Sequence, residues 1–191
     1  WDSQKLANDK QTILLLNKDI AGKFEIAYKT FAEALAAHDE IEEIYISNMN
    51  FDKANQLTDE VISLLYGEEQ LEKKSKIKHR FLGAATPLGA VDFIQNLTSD
   101  VQNRYFVKGR AGSGKSTMLK KIVAEGEKRG FDIEVYHCGF DPNSLDMVIV
   151  RERDVAIFDS TAPHEYFPER DTDKIIDMYE RCINPGTDEK Y

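Results

Sequence analysis

The chain has 191 residues, 41% of them hydrophobic and 31% charged, with a net charge of −9. That is the composition of a soluble globular protein with room for one domain and a smaller appendage, and its acidic balance argues against a broad nucleic-acid or anionic-membrane surface. No apolar run reaches the length of a membrane span and no signal peptide is visible. Cys138 and Cys182 are the two cysteines, a usage that suggests a reducing cytoplasm rather than a disulfide framework. The chain opens on Trp1 instead of methionine, as expected of a piece processed or excised from something longer.

From about Ser3 to Ser47 there is no proline and no cluster of turn residues. Leu6, Ile13, Ile20, Ala27, Ala34 and Ile41 recur every seven residues, with Phe24, Phe31 and Tyr45 flanking the stripe. The pattern predicts a long amphipathic helix with a coiled-coil-like seam, roughly 65 Å in length if continuous. Gly22 lies inside it, at a cost of about 1 kcal/mol relative to alanine, and is the place to expect a bend. Asn48-Met49-Asn50 reads as a loop, Asp52 as the cap of a second helix ending at Tyr66, and Gly67 as its stop. Two helices so joined predict an antiparallel hairpin, covering one end of the core or serving as an arm for a protein partner. Residues 1–72 are therefore read as a helical hairpin and 73–191 as a second domain.

The basic run Lys73, Lys74, Lys76, Lys78, His79 and Arg80 lacks the interleaved aromatics that stack bases and reads as a solvated connector. Ile77 to Leu82 predicts a strand, Gly83 to Gly89 a loop whose Thr86-Pro87 could touch a base or ribose, and Ala90 to Ile94 a short helical turn. Tyr105-Phe106-Val107 predicts a short buried strand. It leads into Gly109-Arg110-Ala111-Gly112-Ser113-Gly114-Lys115-Ser116, followed by Thr117. This is the pattern G-x-x-x-x-G-K-[ST], the Walker A loop. Its glycines allow a curl with inward N–H groups. Lys115 is placed to meet the β- and γ-phosphates of ATP, and the Ser116 hydroxyl to ligate Mg²⁺. Met118, Leu119, Ile122 and Val123 repeat at helical spacing behind it, so the helix adds the positive end of its dipole.

Beyond Gly130, Ile133 to His137 alternates as a strand, Asp141 to Ser144 carries turn chemistry, and Val148 to Val150 is an apolar run. Val155-Ala156-Ile157-Phe158-Asp159 is the Walker B pattern, its Asp159 facing Mg²⁺ opposite Ser116. Asp141 and Asp146 are the alternatives to it. Asp173 to Cys182 predicts a helix, and strands alternating with helices predict an α/β, mostly parallel sheet of four or five short strands. Many P-loop ATPases carry glutamate directly after this aspartate; here Ser160 stands there. In the loop Ser160-Thr161-Ala162-Pro163-His164-Glu165, His164 and Glu165 are the candidates for positioning water or an acceptor, against the plainer reading of a solvated loop. Arg151, Arg153 and Arg170 are candidate charge-stabilising fingers, or simply surface arginines. His137, Cys138 and His164 are a metal trio whose spacing fits no zinc pattern, and Asp141 is a candidate for the acceptor side.

GRAGSGKST and VAIFD make residues 104–160 resemble the P-loop NTPase superfamily. KHRFLGAATP (Lys78 to Pro87), VYHCGFDPNSLD (Val135 to Asp146) and IFDSTAPHEYFP (Ile157 to Pro168) are similar to a little-characterised bacterial family of predicted ATPases with two P-loop halves in tandem. In that family a helical hairpin like residues 1–66 follows the first half and precedes the second P-loop. The resemblance implies a segment spanning the end of one half and the start of the next, with a second half as a partner. The expected function is a Mg²⁺-dependent ATPase or ATP-driven switch using Lys115, Ser116 and Asp159. A small-molecule or nucleotide kinase and a non-hydrolysing nucleotide-binding scaffold are the alternatives. A GTPase fits poorly, because Ala162 stands where its switch motif needs glycine.

Overall fold

The computed structural model describes residues 2–162 and 164–190. The chain divides into two compact units, residues 1–39 and 40–191. Helix α1 (Ser3–Ser47) runs through Gly22 without interruption, and the Asp2 carboxylate starts it by accepting from the Gln4 and Lys5 amides. Along the first unit the side chains of Leu14, Leu15, Leu16, Ile20, Phe24 and Ile26 are exposed.

In the second unit, α2 (Phe51–Tyr66) is capped by Asn50, whose side chain accepts from the Lys53 amide, rather than by Asp52, which lies in the first turn. Leu57, Val61, Leu65 and Tyr66 are buried and belong to the same apolar cluster as the sheet. Strands β1 (Ile77–Phe81), β4 (Asn103–Lys108), β5 (Ile133–His137), β6 (Leu145–Val150), β7 (Val155–Asp159) and β8 (Lys174–Asp177) form one six-stranded sheet in the order β1-β5-β6-β7-β4-β8. It is mostly parallel: β6 alone runs against its neighbours β5 and β7. Six strands exceed the four or five expected.

Two stretches depart from expectation. Gly83 to Asp92, read as a loop and a helical turn, is a hairpin of β2 (Gly83–Thr86) and β3 (Gly89–Asp92), followed by the short helix α3 (Ile94–Leu97). Residues 173–182, read as one helix, are β8 followed by α5 (Met178–Cys182), with the Asp177 side chain capping α5 through the Glu180 amide. The chain closes on α6 (Thr187–Lys190).

One face of the sheet is covered by α4 (Lys115–Lys128), over which α2 packs in turn; the other face carries a second cluster of Phe106, Met147, Ile149, Phe158 and Ile94. Gly126 is needed on α4 because the Tyr66 ring of α2 crosses there, leaving no room for a Cβ; Tyr66 donates to the Ile122 carbonyl at 3.0 Å. Under the other layer lies a fully buried ion pair. Arg104 donates to Asp173 through Nε at 2.8 Å and Nη2 at 2.6 Å, and to Gln95 Oε1 through Nη1 at 2.9 Å. Nothing in the sequence pattern announced Arg104, whose place in a buried strand reads as an interruption. Among the described residues no helix is long and apolar enough to cross a membrane.

Candidate functional site

The chain leaves β4 at Lys108, turns through Gly109 to Gly114 and enters α4 at Lys115. Gly112 and Gly114 hold φ of 76° and 88°, a left-handed backbone that side chains disfavour. A Cβ at Gly112 would also strike the Glu42 backbone. The tight loop delivers Lys115 to the first position of the helix, 9% exposed. Its ammonium donates to the carbonyls of Gly109 at 2.6 Å and Arg110 at 2.9 Å and lies 3.5 Å from Asp159 Oδ2.

Asp159 reaches that place because β7 is hydrogen-bonded beside β4 with Val107 opposite Asp159. Both strands therefore end at the glycine loop. Thr161, unremarked in the sequence, fixes the junction twice: its amide donates to Asp159 Oδ1 at 2.9 Å and its hydroxyl to the Gly109 carbonyl at 2.9 Å. Ser116 Oγ accepts from the Leu145 amide at 3.0 Å, which ties the head of α4 to the start of β6. Ser113 is fully buried, and its hydroxyl has no hydrogen-bond partner among the described residues. Arg110 is exposed and binds Asp188 at 2.7 Å, Ala111 is half-buried, and Thr117 is exposed.

The antiparallel β6 adds a second carboxylate. β6 pairs with β7 from Met147 opposite Phe158 to Val150 opposite Val155. Asp146, one residue before Met147, sits at a break in the β5 register at the end of the sheet where the loop lies, close enough to Asp159 for the two charges to interact. Asp146 is 6% exposed and its Oδ2 has no hydrogen-bond partner among the described residues. Burial, then the nearby Asp159 charge, push its pKa up to about 6, while the Cys138 thiol, His164 and Lys115 pull the other way. Burial in the same spot pushes the Cys138 thiol up to about 11, which disfavours its thiolate. An acid inside the otherwise apolar LDMVIV was the available signal for Asp146.

His164 comes into the site's neighbourhood held by a residue 72 positions away. Its Nδ1 lies 2.6 Å from Asp92 Oδ2, and Tyr166 donates to Asp92 Oδ1 at 2.7 Å. Burial opposes ionisation of Asp92, but the Ile94 amide, the Tyr166 hydroxyl and His164 outweigh it, so its pKa lies below the ordinary value. An ionised Asp92 only accepts, which puts a proton on His164 Nδ1 and leaves Nε2 as the ring nitrogen that Asp92 does not engage. Glu165 is exposed, and Pro163 lies outside the described residues. Ser160 is fully buried, with its hydroxyl donating to the Tyr166 carbonyl at 2.6 Å, and Lys108 clamps the same loop through the Ser160 and Tyr166 carbonyls. Ser160 thus shapes the loop.

Other candidates are placed elsewhere. Arg151 and Arg153 follow the far end of β6, engaged by Asp100, Glu134, the Leu65 carbonyl and Glu69. Arg170 donates to the Val101 carbonyl at 2.7 Å, just before β4 begins. All three sit at the end of the sheet opposite Lys115, so none is a finger for this site within the chain. His137 contacts His79 at 2.9 Å and the Pro142 carbonyl, Cys138 bonds Asp146 and His164 faces Asp92. The trio does not assemble as a metal cluster among the described residues. Asp141 closes its own turn through the Asn143 amide and Ser144 hydroxyl. Thr86 and Pro87 lie at the tip of the β2–β3 hairpin. Compared with protein-family models, with curated proteins and with solved structures, the chain matches none.

Proposed function

We propose that the chain binds ATP with Mg²⁺ at the Gly109–Ser116 loop and acts as a Mg²⁺-dependent ATPase or ATP-driven switch. The single observation that carries the reading is the approach of the Lys115 ammonium to Asp159 at 3.5 Å, at the shared end of the adjacent parallel strands β4 and β7. A cation for phosphate and a carboxylate for a metal are the two charges that phosphoryl transfer requires side by side.

Lys115 is the mobile cation for the β- and γ-phosphates, exchanging the Gly109 and Arg110 carbonyls for phosphate oxygens. Ser116 and Asp159 would hold the Mg²⁺, a hard ion that suits their oxygens and whose chemistry is to neutralise charge developing on the phosphates. Thr161 keeps Asp159 turned toward the loop. His164, oriented by Asp92, takes the proton of the attacking water at Nε2 as its oxygen bonds to the γ-phosphorus and the bond to the β-phosphate oxygen breaks. Ser160 does not supply the water-orienting carboxylate usual after this aspartate, so binding is expected to exceed turnover in the chain alone.

The test is calorimetry with ATP and Mg²⁺. Lys115→Ala removes a charge-assisted contact of about 1 to 3 kcal/mol and is expected to weaken binding about tenfold or more. Equal affinity in the two proteins would overturn the reading.

A further inference from the structure

The reversal of β6 within the six-stranded sheet has a chemical consequence. In an all-parallel arrangement β6 would begin at the far end of the sheet; reversed, it begins beside the glycine loop and places Asp146, one residue before the Met147–Phe158 pair, near Asp159. Two carboxylates are thereby gathered where one cation, Lys115, is shared between Asp159 and two backbone carbonyls. Two negative charges against one positive leave a surplus of about one negative charge in a largely dry place, a costly condition unless a cation or proton meets it.

Oxygen chemistry selects the cation. Asp146 Oδ2 is buried without a partner among the described residues, whereas the Cys138 thiol already bonds the same carboxylate. A buried acceptor with nothing to accept from is rare and expensive in a folded protein. Ser116 adds a hydroxyl next door, since its oxygen is bonded to the amide of Leu145, the residue just before Asp146. Two carboxylates and a hydroxyl are a donor set that suits Mg²⁺ or Mn²⁺.

Resting on the proposed nucleotide site, we infer that Asp146 is a further protein ligand for its divalent cation, acting with Asp159 and Ser116, and that the ion binds before nucleotide arrives. Loading a dication turns the surplus from one negative to one positive charge, Lys115 included, which prepares the loop for anionic phosphates. The cation is then part of the protein's own site rather than a passenger on ATP.

Titration of the nucleotide-free full chain with Mn²⁺, followed by the paramagnetic resonance signal of the free ion, tests this. Wild type is expected to remove one Mn²⁺ per chain saturably. Asp146→Asn and Asp159→Asn should each weaken uptake about tenfold or more, as loss of a metal-site group does. Asp141→Asn, in the adjoining turn, should not. Circular dichroism melts establish that each variant is folded, and Asp146→Glu, which keeps the charge, should retain more affinity than Asp146→Asn. Unchanged Mn²⁺ uptake in Asp146→Asn, or no saturable uptake by wild type, overturns the inference. ATP calorimetry in EDTA separates the two readings: ATP binding that depends on Lys115 but without nucleotide-free Mn²⁺ uptake sinks this inference alone. Mn²⁺ uptake that depends on Asp146 without any ATP binding sinks the nucleotide reading and keeps the metal site.

Discussion

Arg104–Asp173 and Asp146–Asp159 are two charged groupings at opposite ends of the same sheet, the first fully buried and the second built around the buried Asp146, and they are built on opposite terms. Around Arg104 the charges are opposite and the bonds are made: Asp173 takes two guanidinium bonds and the Glu169 and Arg170 amides, and Gln95 takes a third from the arginine. Around Asp146 the nearest charge, Asp159, is alike and one oxygen is left over. A satisfied buried network fixes which strand lies beside which; β8 is led to β4 by the residue preceding it. An unsatisfied one is a defect for folding, and it lies beside the loop where a ligand would cure it. Buried charge alone thus says little about role, whereas the state of its bonds says a great deal.

Breaking the satisfied pair should have the largest effect. Asp173→Asn leaves Arg104 charged, buried and poorly matched, and is expected to cost about 3 to 5 kcal/mol, as removal of one partner of a buried pair does. Urea unfolding at pH 7 measures it. Asp173 has its pKa lowered to about 2, first by the Arg104 bond, so its stabilisation is present above its ordinary value near 3.8 and lost as pH falls through the folded value. The wild-type advantage over Asp173→Asn should therefore shrink between about pH 4 and pH 2. A constant gap would mean that the pair contributes through shape rather than charge.

How far the sequence reveals this contrast depends on the range of each interaction. The glycine loop, its flanking β4 and α4, and the strand ending in Asp159 are local patterns, and each is where the residues predict. The hairpin of β2 and β3 was hidden because Gly83 to Asp92 is rich in Ala and Gly and contains Pro87, which reads as turn; the strands are held by their mutual pairing, Gly83 opposite Asp92. β8 was absorbed into a helix because Asp177 looks like any helical acid until its side chain is seen capping α5. Asp146 had a visible oddity, but its meaning depends on the reversal of β6. The Asp92–His164 contact joins positions 72 apart, and no spacing rule reaches that far. Long-range register was what the sequence kept back.

On the unsatisfied side, Asp146→Asn should stabilise the metal-free protein at pH 7 by about 1 to 3 kcal/mol, taking 1.36 kcal/mol per pH unit of displacement as the scale. Asp146 titrates near 6 when folded against an ordinary 3.8. Between those values the folded state holds a proton that the unfolded state has released, so stability from this group falls as pH rises from about 4 to 6 and stays low above. Thermal melts in EDTA at pH 4 and pH 7 should show the variant's advantage at pH 7 only. An Asp146→Asn protein less stable than wild type at pH 7 would place a hidden partner on Oδ2.

The smallest expected effect falls on Ser113, the neutral counterpart of Asp146 within the glycine loop. Its hydroxyl is fully buried against Gly109 and has no hydrogen-bond partner among the described residues. An unmade bond contributes no stability, and the buried hydroxyl carries its desolvation cost, so Ser113→Ala should leave the unfolding free energy unchanged or raise it by up to about 1 kcal/mol. If the hydroxyl is kept for a phosphate oxygen, the same change should weaken ATP binding about two- to tenfold, the worth of a neutral hydrogen bond. Urea unfolding and ATP calorimetry on one variant decide the matter together. Lost affinity with retained stability extends the rule drawn from Asp146 to an uncharged group. Lost stability with retained affinity would make Ser113 a packing residue of the loop, and would confine the rule to charges.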